Sequence, residues 1–276
     1  MSDEQGSQGR KYRLDLQYIG TPFLGWQSQP QGGSIQDHLE HALAVMLRHP
    51  VRVTGAGRTD TGVHAEQQVA TFTTSVPFAE RAWIKSLNGL LPKEIGVAAV
   101  QPVADDFHPV LAARGKVYRY RVWSGITRNP WAETSTWHVV PELDIEAMVN
   151  AAAAFVGTHD YTSFCAVDSS AKTRERTVWA VEVRVNGPLI EFWVAGKGFL
   201  KQMVRTMVGT LVDIGLGKFK AEDLDDILAA RDRRAAGRTA PAQGLTLVHI
   251  YYGTEPDVRS PIPDELGLGL GVKVWP

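Results

Sequence analysis

Strand patterns in this chain come in runs and adjacent pairs, not in strict alternation with helices, and that ordering constrains the fold most. Residues 12–19 alternate, with Leu14, Leu16 and Tyr18 on one face, and Gly20-Thr21-Pro22 stops the run. Residues 51–54, 67–73 and 95–103 read as further strands. A second set follows at 115–123, 177–185, 190–195 and 245–251. Helical spacing occupies 35–48, capped by Ser34, with Ile35, Leu39, Ala42, Leu43, Met46 and Leu47 on one face. It returns at 81–90, 144–155, 199–214 and 221–230. The expectation is an α+β fold with a largely antiparallel mixed sheet and helices on one side, in two similar lobes. The lobes are expected at 11–105 and 106–252, joined near residues 104–115. A disordered leader is expected at 1–10, and 253–276 reads as a Pro/Gly-rich tail of no assigned role.

Of 276 residues, 44% are hydrophobic and 21% charged, enough apolar material for a sizeable core. Lys and Arg number 29 against 30 Asp and Glu, a net charge of -1. Global charge therefore supplies no attraction to nucleic acid, and such a role must rest on a local basic face. The single cysteine, Cys165, can close no intramolecular disulfide and build no Cys-based zinc site. The first residues are polar and acidic, and no apolar run approaches the roughly 18 residues of a membrane helix. The expectation is a reduced, cytoplasmic protein with no membrane role.

The most informative segment is Gly55-Ala56-Gly57-Arg58-Thr59-Asp60-Thr61-Gly62-Val63-His64-Ala65. Its glycines permit a tight turn or the close approach of another group. Thr59 and Thr61 can bond their own backbone and hold the loop rigid, which a reacting carboxylate requires. Arg58 can reach a phosphate or the carboxylate. On residue chemistry alone, a Gly-rich hairpin loop with a solvated Asp60 is an open alternative. The Gly-Lys-Ser/Thr ending of a phosphate-binding P-loop is missing, and no helix pattern opens after the glycines as a dinucleotide site requires.

A second segment, Arg114-Gly115-Lys116-Val117-Tyr118-Arg119-Tyr120-Arg121-Val122, interleaves cations with aromatics. On a strand, Lys116, Tyr118 and Tyr120 share a face. Such a surface suits RNA, whose bases stack on rings and whose phosphates meet cations; an edge strand with solvated arginines is the plain alternative. In a third segment, Leu200, Met203, Val204, Met207, Val208 and Leu211 form a core-facing helical stripe, with Lys201 and Arg205 one turn apart on its border. Arg205 there needs a partner, or snorkels to water. Further basic groups stand at Lys172/Arg174/Arg176 and Arg231/Arg233/Arg234/Arg238, each by itself readable as a solvated face. His159-Asp160 reads as a turn stabiliser or an acid–base pair. The histidines show no metal-ligand spacing, so no metal is assigned.

Taken in order from about Arg13 to Tyr251, these segments resemble the TruA family of tRNA pseudouridine synthases. The likeness lies in Tyr18-Ile19-Gly20-Thr21-Pro22-Phe23-Leu24-Gly25-Trp26-Gln27, in the 55–65 loop and in Phe107-His108. It continues in Lys116-Val117-Tyr118-Arg119-Tyr120, Gly157-Thr158-His159-Asp160-Tyr161-Thr162-Ser163-Phe164, Gly198-Phe199-Leu200-Lys201-Gln202-Met203-Val204-Arg205 and Ala240-Pro241-Ala242-Gln243-Gly244-Leu245. The resemblance implies an active cleft between the lobes, a homodimer, no cofactor, and action on uridines of the tRNA anticodon stem-loop, at positions 38, 39 and 40. It implies Asp60 as nucleophile and Arg205 as its ion-pair partner. Tyr118 would stack on the target base, Arg58 would help hold the nucleotide out of its stack, and Leu245 would wall the uracil. Pro109-Val110-Leu111 stands where the family usually carries Ala-Arg-Phe, so one cleft arginine is missing.

Isomerising uridine breaks the N1–C1′ bond, turns the base and joins C5 to C1′, with no redox step and no net hydrolysis. It needs a nucleophile, a dry pocket and removal of the C5 proton. Two readings from other classes compete. A non-catalytic RNA-binding protein would not need the intact Arg58-Thr59-Asp60. A phosphate-handling enzyme built on the Gly-rich loop would depend on Mg²⁺.

Overall fold

The alternation at residues 12–19 becomes β1 (Arg10–Tyr18), whose Tyr12, Leu14, Leu16 and Tyr18 are buried on one face. The computed structural model describes residues 9–77, 79–253 and 271–274. Residues 1–8 of the expected leader lie outside these, and Arg10 opens the strand. The chain divides into two compact units at Ala113/Arg114. Residues 106–112 stay with the first unit because Lys11 donates to the carbonyls of Asp105 and Phe107, and Ala112 N donates to His108 O at 2.9 Å.

In the first unit, α1 (Ile35–Leu47) opens on a reciprocal cap. Asp37 N donates to Ser34 Oγ at 3.1 Å, and Ser34 N donates to the Asp37 carboxylate at 3.0 Å. The expected strand at 51–54 shrinks to β2 (Thr54–Gly55). Side chains of α1 take the backbone groups that a strand would have paired: Val53 N donates to Glu40 Oε1, and Gln36 Nε2 donates to Val53 O. β3 (His64–Thr74) pairs antiparallel with both β2 and β1. α2 (Glu80–Leu90) then lays Trp83 over the sheet, its ring 5.5 Å from Tyr12 and 5.3 Å from Phe72. β4 (Ile95–Pro102) closes the other side of β1, also antiparallel. Fully buried Leu14, Leu16 and Leu43 each contribute roughly 1.5–3 kcal/mol to this core.

The second unit is a sheet built around β5 (Ala113–Ser124). β6 (Trp137–Val139) runs parallel to its end. α3 (Ile145–Ala152) continues as a 3-10 turn to Phe155, and β7 (Gly157–Asp160) follows. β8 (Glu175–Asn186) and β9 (Leu189–Gly196) form an antiparallel hairpin, with β7 on the outer side of β8 and β5 beside β9. α4 (Met203–Gly215) and α5 (Asp223–Ala230) precede β10 (Leu245–Tyr252), which neighbours β5. In the expected tail, Gly271–Val274 forms β11, antiparallel on β8; 254–270 and 275–276 lie outside the described residues. The fold is α+β; β6 runs parallel to β5, and the pairings of β1, β2, β3 and β4 with one another and of β5, β7, β8, β9 and β11 with one another are antiparallel.

Two sequence expectations need correction here. The helix expected from residue 199 starts at Met203, because Gln202 holds φ +62° and breaks the helical run. Lys201 is therefore not one turn from Arg205 on a helix face; it lies in the preceding turn, 2.6 Å from Asp168. β5 is an interior strand, not an edge. Arg119, 7% exposed, has its guanidinium 5.2 Å from the Trp193 ring centre and 3.7 Å from Glu191. Among the described residues, no helix is long and apolar enough to cross a membrane.

Candidate active site

The Asp60 loop joins β2 to β3 and is clamped from both sides. Gly57 O accepts from Gln68 Nε2 at 2.9 Å, and Ala56 N donates to Val69 O at 2.7 Å. The Tyr18 hydroxyl lies 2.9 Å from Thr59 Oγ1 and takes a longer contact, 3.3 Å, from Gln68 Nε2. Burial pushes the Tyr18 phenol up to about 12, partly offset by these bonds, so the hydroxyl stays protonated at neutral pH. Thr59 is buried at 7% exposure, whereas Thr61 is exposed. Of the two threonines expected to fix the loop, Thr59 reaches across to β1.

The segment after β1 forms the second clamp. Trp26 N donates to Thr59 O at 3.0 Å, and Gly20 N donates to His64 Nδ1 at 3.0 Å. The latter bond makes Nδ1 the unprotonated ring nitrogen in the neutral imidazole. Gly25, at φ +81°, passes so close that a Cβ there would lie 2.8 Å from Thr59 O and 3.0 Å from Thr61 N. Only glycine suits both the backbone angle and the approach. Asp60 itself is half-buried, its carbonyl accepting from Val63 N at 3.1 Å, and Arg58 is exposed two residues earlier. The loop thus presents a carboxylate whose backbone neighbours on either side are fixed.

In the second unit, β5 places Lys116, Tyr118 and Tyr120 on alternate positions. Tyr118 is buried at 8% exposure and meets Phe199 edge-on, ring centres 5.2 Å apart. Burial pulls the Lys116 ammonium down to about 8. The Tyr120 hydroxyl donates to Pro241 O at 2.7 Å; burial raises its pKa, against the opposing positive charge of nearby Arg205.

Arg205 is the one residue of α4 that is not buried. Its Nε donates to Ala240 O at 2.8 Å, and its carbonyl accepts from Ala240 N at 3.0 Å. This docks the 237–244 segment on α4, where a Cβ at Gly209 would lie 1.8 Å from Arg238 O. Gly244 packs against Tyr120, a Cβ there lying 2.5 Å from the ring, and Leu245 follows at 6% exposure. Arg205, Tyr120 and the approach to Leu245 are therefore one packed group, with Tyr118 on the same strand. Tyr120 is the member that sequence reasoning did not single out as a site residue, although its place two residues from Tyr118 was the available signal.

Other sequence candidates go elsewhere. His159 and Asp160 do not bond each other: His159 Nε2 contacts Val156 O at 3.0 Å, while Asp160 accepts from Thr162 N and Oγ1. At the altered 109–111 segment, His108 Nδ1 accepts from Val110 N at 3.2 Å, and Leu111 is 79% exposed. Among the described residues, no group of three or more His, Cys, Asp or Glu is placed to hold a metal ion.

Residues 16–110 and 151–253 match a family model described as tRNA pseudouridine synthase. A protein of Myxococcus xanthus named tRNA pseudouridine synthase A is 44% identical over 252 residues, spanning 91% of this chain and 95% of that protein. Proteins of the same name from Geobacillus kaustophilus and Geotalea uraniireducens are 44% and 42% identical over 253 and 243 residues. They span 91% and 88% of this chain, and 98% and 100% of their own lengths.

Proposed function

The chain belongs to the tRNA pseudouridine synthase family, whose members are isomerases, and from that premise we propose that it converts uridines 38, 39 and 40 of the tRNA anticodon stem-loop to pseudouridine, with Asp60 as nucleophile. The observation that carries this reading is the clamped loop, in which buried Thr59 is tied to Tyr18 and Trp26 while Asp60 keeps solvent access. A carboxylate that attacks a nucleoside must be held in position before the substrate arrives, and fixed flanking backbone supplies that. Tyr118, Arg58, Arg205 and Leu245 are the substrate-binding groups in this proposal. Tyr118 offers a ring for the base, Arg58 an exposed cation for the flipped nucleotide, Arg205 a fixed guanidinium, and Leu245 an apolar wall.

The reaction balances without a redox partner: N1–C1′ breaks, C5–C1′ forms, and the C5 proton leaves while N1 gains one. The reading assigns no cofactor. It also places the enzyme in the cytoplasm as a homodimer acting on tRNA. The test is Asp60→Asn, which keeps the shape and removes the nucleophile. Tritium release from C5-labelled uridine in tRNA should vanish, while tRNA affinity stays within about twofold of wild type. Measurable turnover by this variant would falsify the nucleophile assignment.

A further inference from the structure

Four guanidiniums of the second unit line a single cavity of about 880 Å³. Arg174 stands beside the Thr162–Val167 segment, and Arg231, Arg233 and Arg234 follow the end of α5. Against these four cations the lining holds one carboxylate, Asp232. Arg234 grips Asp232 through Nε and Nη2, at 3.0 and 2.7 Å, and holds that carboxyl down at about 2. Arg231 lies 3.3 Å from Asp160.

Arg174 and Arg233 are anchored differently. Arg174 donates to Cys165 Sγ at 2.9 Å and to Ser169 O at 3.0 Å. Arg233 donates to Gly237 O and Thr239 Oγ1, both at 2.9 Å, with a longer contact to Ala236 O at 3.4 Å. These neutral acceptors, not carboxylates, fix the orientation of both guanidiniums; Asp160 also acts on Arg174 through space, more weakly than on Arg231. Each guanidinium carries five N–H donors, so donors remain on both. Ala166, Val167 and Ala230 complete the lining, and Val167 is 85% exposed. Oriented cations beside an open apolar wall suit a ligand that is anionic at one point and flat and apolar at the next.

We infer that this cavity docks the RNA substrate outside the reacting nucleotide, seating a backbone phosphodiester on Arg174 and Arg233 and the adjoining nucleoside over Val167. The inference rests on the proposed tRNA substrate and adds a place where its backbone is held. Overall charge near neutrality gives the chain no general attraction for RNA, so a local excess of cations is where phosphate binding is to be found. The cavity volume falls within the roughly 300–1,000 Å³ of small-molecule and cofactor sites.

The test compares the full chain with Arg174→Gln, Arg174→Lys and Arg231→Gly, using fluorescently labelled tRNA over a salt series. Glycine suits the φ of +48° at residue 231, so that variant removes a cavity cation without adding backbone strain. Arg174→Gln should weaken affinity about tenfold and lower the slope of log K against log salt by about 0.7–0.9, the loss of one phosphate contact. Arg174→Lys should keep the slope, because it keeps the charge, and Arg231→Gly should weaken affinity several-fold. Tritium release should show these losses in KM and not in kcat. Unchanged affinity and slope in Arg174→Gln and Arg231→Gly, or identical losses in Arg174→Gln and Arg174→Lys, would overturn the inference. A wild type that binds tRNA but releases no tritium would overturn the proposed reaction, while the salt slopes would still decide the cavity.

Discussion

The Tyr18 hydroxyl lies 2.9 Å from Thr59 Oγ1, a bond from the end of β1 to the residue just before Asp60. Both partners are buried, so water does not replace the bond if it is lost. The carboxylate is thereby tied to β1, which pairs with both β3 and β4, and not left on a free loop.

Tyr18 also sets an alkaline limit on stability. Its folded pKa, about 12, is raised above the unfolded value of 10.0. The folded state keeps a proton that the unfolded state releases. The associated stability is therefore fully present below pH 10 and is lost as pH rises towards 12, by roughly 3 kcal/mol for two units. Tyr18→Phe removes this titration and should make the fall between pH 10 and 12 shallower without abolishing it, because burial also raises Tyr120 and Tyr161. At neutral pH it should cost about 1–3 kcal/mol, because Thr59 Oγ1 loses its partner. Urea denaturation at a series of pH values measures both, and an unaltered alkaline slope in Tyr18→Phe would contradict the assignment.

Gly25 provides a separate handle on the same loop. Gly25→Ala drives a methyl against the backbone at Thr59 and Thr61, which a side-chain rotation cannot relieve. The variant should lose about 2–3 kcal/mol, and its turnover should drop at least tenfold. Gly33 has the same φ of +81°, but a Cβ there would meet only the Leu24 side chain at 3.7 Å. Gly33→Ala should therefore share the backbone strain, about 1 kcal/mol, and retain its rate. Melting curves alongside tritium release separate the two effects, and equal rates in both variants would detach Gly25 from the site.

The Asp60 loop was legible because glycine and threonine around one carboxylate restrict what the backbone can do. Its anchor was less so, since nothing local links Tyr18 to Thr59. The start of α4 was misread because Leu200, Met203, Val204 and Met207 keep helical spacing through Gln202, while the left-handed backbone at that residue ends the run. β7 escaped notice because Gly157-Thr158-His159-Asp160 has no apolar alternation; its pairing with Arg176 and its neighbours on β8 makes it a strand. The arginines of β5 read as solvated because sequence does not reveal Trp193, which lies between Arg119 and Arg184 at 5.2 and 4.7 Å.

That arrangement predicts a double-mutant result. Glu182 is fully buried and holds Arg184, 6% exposed, at 2.6 Å. Glu182→Gln leaves a buried cation without its counter-charge and should cost about 3–5 kcal/mol. Replacing both residues, Glu182→Leu with Arg184→Met, removes both charges and should be far milder, within about 1–2 kcal/mol of wild type. Chemical denaturation of the singles and the double gives the coupling. A double variant as unstable as the sum of the singles would mean that the two charges do not act as a pair.

Tyr118 separates a ring from a hydroxyl. Its ring packs edge-on against Phe199 at 5.2 Å, a contact that phenylalanine reproduces and leucine does not. Tyr118→Phe should therefore keep the fold within about 1 kcal/mol and keep tRNA affinity, since stacking on a base needs only the π-face. If the hydroxyl helps to remove the C5 proton, that variant should lose about 10²–10⁴-fold in tritium release at saturating tRNA. Tyr118→Leu should lose stability and affinity as well. The decisive comparison is turnover in the Phe variant: a near-normal rate with affinity intact would confine Tyr118 to stacking and send the search for the proton acceptor to another group.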